Sequence, residues 1–282
     1  MADNEKCNSC NQKTEDCSPD KCGIDILPQN DYTEIKHVIA VMSGKGGVGK
    51  SSVSALLALS LARKGYQVGI LDADITGPSI PKMFGISARP LHDENVLYAA
   101  MTSAGIKIMS LNLLLENEDQ PVIWRGPIIA GAVKQFWTDV AWGKVDFMIV
   151  DLPPGTGDVP LTVMQSLPLD GIVVVTSPQD LANMVVRKAV NMANHMNIPL
   201  LGFVENMSYL RCPDCGKEIK IFGESRSESL VTAMGLRLLE KLPVEPELAR
   251  LCDAGQVEKY ELELFKDLEQ LIIKKPATKI CQ

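Results

Sequence analysis

The chain has 282 residues, 46% of them hydrophobic and 22% charged, enough to bury the core of one large α/β domain. Its 28 basic against 35 acidic side chains leave a formal charge of -7, which offers no broad basic surface and argues against nucleic acid as a partner. No apolar leader region opens the sequence and no run approaches the ~20 apolar residues of a membrane span, so a soluble, cytoplasmic protein without a membrane partner is expected.

Residues 1–30 are polar, hold Cys7, Cys10, Cys17 and Cys22, and end near Pro28, which describes a flexible tail that cannot pack a core by itself. From His37 onward, short β-branched apolar runs alternate with helical stretches. The runs are Val38 to Met42, Val68 to Leu71, Phe147 to Val150, Ile172 to Val175 and Leu200 to Val204. Their apolarity is continuous rather than alternating, which predicts strands covered on both faces in a mainly parallel sheet. Predicted helices are Ser51 to Lys64, Ile128 to Val140, Asp180 to Met196, Glu224 to Met234 and Glu258 to Ile273. In the first, Val53, Leu56, Leu57 and Leu61 form one stripe that stops at Gly65. Leu97 to Leu111 breaks the pattern, with Ser103-Ala104-Gly105 as a hairpin turn. The strand-helix alternation predicts a doubly wound α/β fold with its ligand at the carboxyl ends of the strands.

The first such end carries Gly44-Lys45-Gly46-Gly47-Val48-Gly49-Lys50-Ser51, a full G-x-x-x-x-G-K-[ST] phosphate loop, followed by Ser52. Glycines let backbone N–H groups turn around a β-phosphate, Lys50 brings a charge to the β/γ oxygens, and the Ser51 hydroxyl suits Mg2+. A plain glycine turn before a helix would need neither Lys50 nor Ser51. Lys45 is a second lysine on the same tight loop, placed to supply its charge to a neighbouring subunit's transition state as an arginine finger does. Two further strands end in acids. Asp151 follows a buried run and precedes Gly155, the Walker-B arrangement for holding Mg2+. In Asp72-Ala73-Asp74 the carboxylates alternate in face, and Asp74 is the one favoured for orienting the attacking water or Mg2+, with Asp72 structural. Helix capping is the plainer role open to these acids.

Eight cysteines in a large chain without an export signal, six of them in two clusters, favour metal over disulfides. Cys212-Pro-Asp-Cys215 is a C-x-x-C knuckle, and two thiolates are half of what a tetrahedral zinc or a four-iron cluster takes. The other pair comes either from the same knuckle of a second copy across a two-fold axis or from the tail as a zinc ribbon. The four tail thiols also suffice for a second cluster or zinc of their own. His37, His92 and His195 match no ligand or triad spacing, and Cys252 and Cys281 read as isolated thiols.

Together these segments resemble one known family. Residues 45–51, Asp-Ala-Asp-Ile-Thr-Gly-Pro-Ser-Ile-Pro at 72–81, Trp-Arg-Gly-Pro at 124–127, Asp-Leu-Pro-Pro-Gly-Thr-Gly-Asp at 151–158, Val-Glu-Asn-Met-Ser at 204–208 and the Cys212 to Cys215 knuckle are similar to the Mrp/ApbC-type iron-sulfur carrier ATPases. These are P-loop NTPases of the deviant Walker A group, related to the Min-type division ATPases and the nitrogenase iron protein. The resemblance implies one ATPase domain over residues 31–275, a short tail at 276–282, and a homodimer in which Lys45 acts across the nucleotide. It implies that Asp74 and Asp151 are the switch and Walker-B acids, that Asn206 lies at the adenine, and that Cys212 and Cys215 bridge a 4Fe-4S cluster passed to apo iron-sulfur proteins. ATP and Mg2+ are the other expected ligands. The tail's spacing departs from that of the family's eukaryotic scaffolds. Rival expectations are a Min-type positioning ATPase, which needs a membrane-lying helix near Glu258 to Lys275, and an ATP-driven electron-transfer protein.

Overall fold

A computed structural model of the chain describes residues 26–74, 80–93, 96–114, 126–178, 184–223, 231, 235–261, 263–266 and 268–273. The predicted helix at Glu224 to Met234, apart from residue 231, and the tail cysteines therefore lie outside the described residues, as do residues 124 and 125 of the Trp-Arg-Gly-Pro motif.

The strands are β1 Thr33–Ser43, β2 Val68–Asp72, β3 His92–Asp93, β4 Val96–Tyr98, β5 Ala100–Met101, β6 Lys107–Ser110, β7 Val140–Ala141, β8 Gly143–Asp151, β9 Gly171–Thr176, β10 Leu200–Glu205, β11 Leu210–Arg211, β12 Glu218–Ile219 and β13 Leu238–Lys241. Eight of them form one sheet in the order β13-β10-β9-β1-β8-β2-β6-β5. All neighbours run parallel except β5, which returns antiparallel to β6 through the turn at Gly105. That hairpin and all five apolar runs match the sequence pattern.

The helices are α1 Lys50–Arg63, α2 Ile80–Met83, α3 Gly126–Thr138, α4 Asp158–Ser166, α5 Met184–His195, α6 Pro246–Asp253 and α7 Leu268–Ile273. Side chains of β1 alternate between two cores. Val38, Ala40 and Met42 join a layer with Phe136, Trp137, Trp142 and Val163 from the α3 and α4 side. Ile39 and Val41 join a second layer with Leu57, Leu61, Leu251 and Phe265. A sheet covered on both faces explains why its strands lack polar alternation.

Three sequence expectations are corrected. The stripe expected on α1 is too narrow, because Ser54, Ala55, Ala58 and Leu59 are buried as well. Its outer side is covered by the chain's last described segment, which the periodicity cast as one helix from Glu258 to Ile273. That segment is instead a 3-10 turn at Val257–Lys259, an irregular stretch and the short α7. The reason is where its carbonyls go. Arg63 donates to Glu258 O and Tyr260 O, Ser60 Oγ to Leu264 O at 2.6 Å, and Lys64 Nζ to Phe265 O and Lys266 O. With acceptors satisfied by α1, the apolar spacing reports contact with that helix rather than helicity. Likewise Val140, assigned by pattern to the end of a helix, pairs in β7 with Leu97.

Candidate functional site

The phosphate loop leaves β1 and turns back through Gly47 and Gly49, at φ 80° and 77°, conformations that exclude most other residues. Gly49 is the N-cap of α1, yet no side chain caps the helix and its first turn carries no acid. The first backbone N–H groups are thus left for an anion. Behind them lies a closed polar network. Lys50, 5% exposed, places Nζ 2.8 Å from Asp151 Oδ1 and 3.3 Å from Asp74 Oδ2. Ser51 Oγ donates to Asp151 Oδ2 at 2.6 Å, and Ser54 Oγ donates to Asp151 Oδ1 at 2.7 Å. Asp151, fully buried at the end of β8, thereby meets one cation and two hydroxyls. Burial pushes the Lys50 ammonium toward a lower pKa, but the charges of Asp151 and Asp74 outweigh it and hold the pKa above the ordinary value.

Ser54 was not among the residues singled out from the motif. Its signal was present nonetheless, as the one hydroxyl in an otherwise apolar run four residues beyond the loop lysine. Asp72, expected to be structural, is 1% exposed and is held by Ser110 Oγ at 2.9 Å and the Asp74 backbone N–H at 3.0 Å. Burial and the nearby charge of Asp151 push its carboxyl well above the usual range. The Walker-B strand is tied to the loop directly, since Gly155 N donates to Ser43 O at 2.8 Å. Lys45 sits on the exposed rim of the loop, as do Gly46 and Gly47.

Asn206 follows β10 and comes to the same edge. Its side-chain amide donates to Val48 O at 2.9 Å, in the space that a Cβ on Gly49 would fill. Ser52, Asn206, Pro243, Glu245 and Tyr260 line a small crevice beside the loop.

Cys212 and Cys215 stand apart, at the tip of the β11-β12 hairpin. Cys212 N donates to Lys217 O and Gly216 N to Cys212 O, both at 2.9 Å, which folds the knuckle so that both thiols share one side of the turn. Cys215 is exposed, Cys212 is half-buried, and neither is in a disulfide. Backbone N–H groups of Cys215 and Asp214 lower the Cys212 thiol pKa, favouring the thiolate that binds metal. Among the described residues, no group of three or more histidine, cysteine or acidic side chains is poised to hold a metal ion. Nor is any helix of the described residues long and apolar enough to cross a membrane.

Comparison with known proteins identifies the family. The model of the ParA family described as NUBPL iron-transfer P-loop NTPase matches residues 34–275. A Clostridium perfringens protein named iron-sulfur cluster carrier protein is 44% identical over 273 residues, covering 93% of each chain. A Pyrococcus furiosus protein of the same name is 47% identical over 247 residues, covering 83% of each. Among solved structures, a nucleotide-binding protein from Archaeoglobus fulgidus in complex with ADP is 44% identical, with a TM-score of 0.75 over 82% of this chain and 91% of its own. The Pyrococcus furiosus cell division ATPase MinD, 21% identical, shares the fold with a TM-score of 0.59 over 84% of this chain and 98% of its own. The chain belongs to the NUBPL iron-transfer P-loop NTPases.

Proposed function

We propose that the protein is an iron-sulfur cluster carrier that assembles a 4Fe-4S cluster between two copies of itself and passes it to apo iron-sulfur proteins, with slow ATP hydrolysis coupled to the transfer. The observation that carries this reading is the pairing, on one chain, of a complete buried phosphate site with an exposed thiol pair of half the number a four-iron cluster takes. A second copy brings the other two thiolates across a two-fold axis. The fold sets the phosphate loop, Asp74 and Asn206 along one edge.

In this reading the N–H groups of residues 44–52 and Lys50 hold the phosphates, and Asp74 orients the water that attacks the γ-phosphate, releasing ADP and phosphate. Lys45 reaches the partner's nucleotide. The oxygen donors of Ser51, Asp74 and Asp151 suit Mg2+, which would supply charge neutralisation at the β/γ oxygens. Cys7, Cys10, Cys17 and Cys22 form a second, single-chain site, and the protein works in the cytoplasm. A membrane-positioning role finds less support, because Phe265 and Leu268, two of the apolar residues such a helix would present, are buried against the body of the protein.

Anaerobic reconstitution with iron and sulfide tests the cargo. A broad absorption near about 400 nm from iron-thiolate charge transfer is expected, lost in Cys212→Ala or Cys215→Ala and transferable to an apo four-iron protein. A colourless product holding only stoichiometric zinc refutes it.

A further inference from the structure

We propose that the turn from Glu205 to Ser208 is a strut that carries the state of the phosphate loop to the cysteine hairpin, with Ser208 as its positioning residue. The proposal rests on reading that hairpin as the cargo site, and it adds how nucleotide regulates it.

The strut begins inside the phosphate loop. Asn206 donates its amide to Val48 O, and Gly49 has no Cβ because that space holds the amide. A loop that rearranges around a phosphate therefore moves a group bonded to Asn206. Only five residues separate Asn206 from Cys212, and each end of that stretch is fixed to the fold. Asn206 N donates to Thr176 O at 2.8 Å, Ser208 N to Leu242 O at 2.8 Å, and Leu242 N returns to Glu205 O at 2.9 Å. Val244 N donates to Tyr209 O at 2.7 Å, and Leu210 bridges to Val244 just before β11 enters the knuckle.

At the bend itself the backbone is held against its preference. Met207 has φ 58°, a left-handed conformation that strains a residue with a side chain. Directly beneath it Glu205, 0% exposed, accepts the hydroxyl of Ser208 at 2.5 Å. Ser208 has one proton to give, and its contact with Glu205 O is longer, at 3.1 Å. A hydroxyl clamped on a buried carboxylate is a stiff joint. A glycine at 207 would make a relaxed bend that absorbs displacement. A bend forced into shape by Ser208 passes it on.

The test uses metal-free protein under anaerobic conditions, following iodoacetamide alkylation of Cys212 and Cys215 by peptide mass spectrometry with and without Mg-ADP. Wild type is expected to change its alkylation rate on ADP binding by about fivefold, the lower range of coupling between sites. Ser208→Ala should bind ADP with unchanged affinity and lose that change, and Ser208→Thr, which keeps the hydroxyl, should restore it. Met207→Gly, which relieves the strain at the bend, should weaken the response too. An undiminished ADP response in Ser208→Ala, a flat response in Ser208→Thr, or no response in wild type overturns the strut. Because the thiols are read without metal, a failure here leaves the cluster assignment standing, and a colourless reconstitution leaves this result standing.

Discussion

The two sites of this protein are built on opposite plans. Around the phosphate loop, Lys50, Asp151, Ser51 and Ser54 satisfy one another at 2.6 to 2.8 Å, with Lys50, Asp151 and Ser54 buried and Ser51 half-buried. At the knuckle, two thiols sit on a hairpin of two-residue strands, Cys215 exposed and Cys212 half-buried. The first site is finished before its ligand arrives. The second, among the described residues, offers two thiols and no third ligand. If the knuckle is the cargo site, as proposed, that asymmetry suits a carrier: the grip on the nucleotide supplies order, and the grip on the cargo is easy to open.

The sharpest way to break the contrast is to damage the finished site. Lys50→Ala removes the cation from a fully buried Asp151, and breaking such a pair costs about 3–5 kcal/mol. Nucleotide binding should vanish and Tm should fall by more than about 6 °C in a thermal melt. Adding Asp151→Asn should recover a good part of the lost Tm, since no buried charge is then left alone. A double variant no more stable than the single would show that the network is not closed as described.

The opposite result is expected at the unfinished site. Cys212→Ala and Cys215→Ala should abolish cluster loading while moving the Tm of the apo protein by no more than about 2 °C. A large destabilisation would mean that the knuckle is a structural element.

Asp72 sharpens the comparison from inside the nucleotide site. Its raised pKa means that the folded, nucleotide-free protein binds a proton there more readily than the unfolded chain does. Stability therefore falls as pH rises through the raised value. Asp72→Asn keeps both hydrogen-bond partners without the charge, and should raise Tm at neutral pH by about 2–4 °C, equivalent to about 1 kcal/mol, and remove that slope.

The smallest effect is expected far from both sites. Asp146 is held below the usual carboxylate range by hydrogen bonds from Lys36 and the Gln67 N–H. Its contribution is present at neutral pH and disappears as pH falls through that lowered value. Asp146→Asn should cost no more than about 2 °C at pH 7, with the difference from wild type closing in acid.

How far the sequence could be read follows the same division. The phosphate loop, Asp74 and Asp151 were legible because each is a fixed spacing with a fixed chemical task, set at the end of an apolar run. Asp72 was legible from alternation alone. Ser54 was not, because a lone serine on an apolar helix face carries no motif until its partner on β8 is in place. The C-terminal segment misled for a related reason. Leu264, Phe265, Leu268 and Ile272 are buried as helical spacing demands, but against a neighbour whose side chains take their carbonyls. Periodicity reports which residues meet a surface, and says less about the backbone that brings them there. The bond from Asn206 to Val48, 158 positions apart, belongs to no local pattern at all.

That C-terminal cover has a consequence for the order in which the molecule can be made. The helix behind the phosphate loop is translated early, yet Ser60 waits for Leu264, 204 residues downstream, before its outer side is sheathed. On the ribosome, the nascent chain exposes an apolar helix until residue 264 has emerged. Full packing of that helix thus waits on residues far downstream, and a chain stalled short of residue 264 leaves it without its cover.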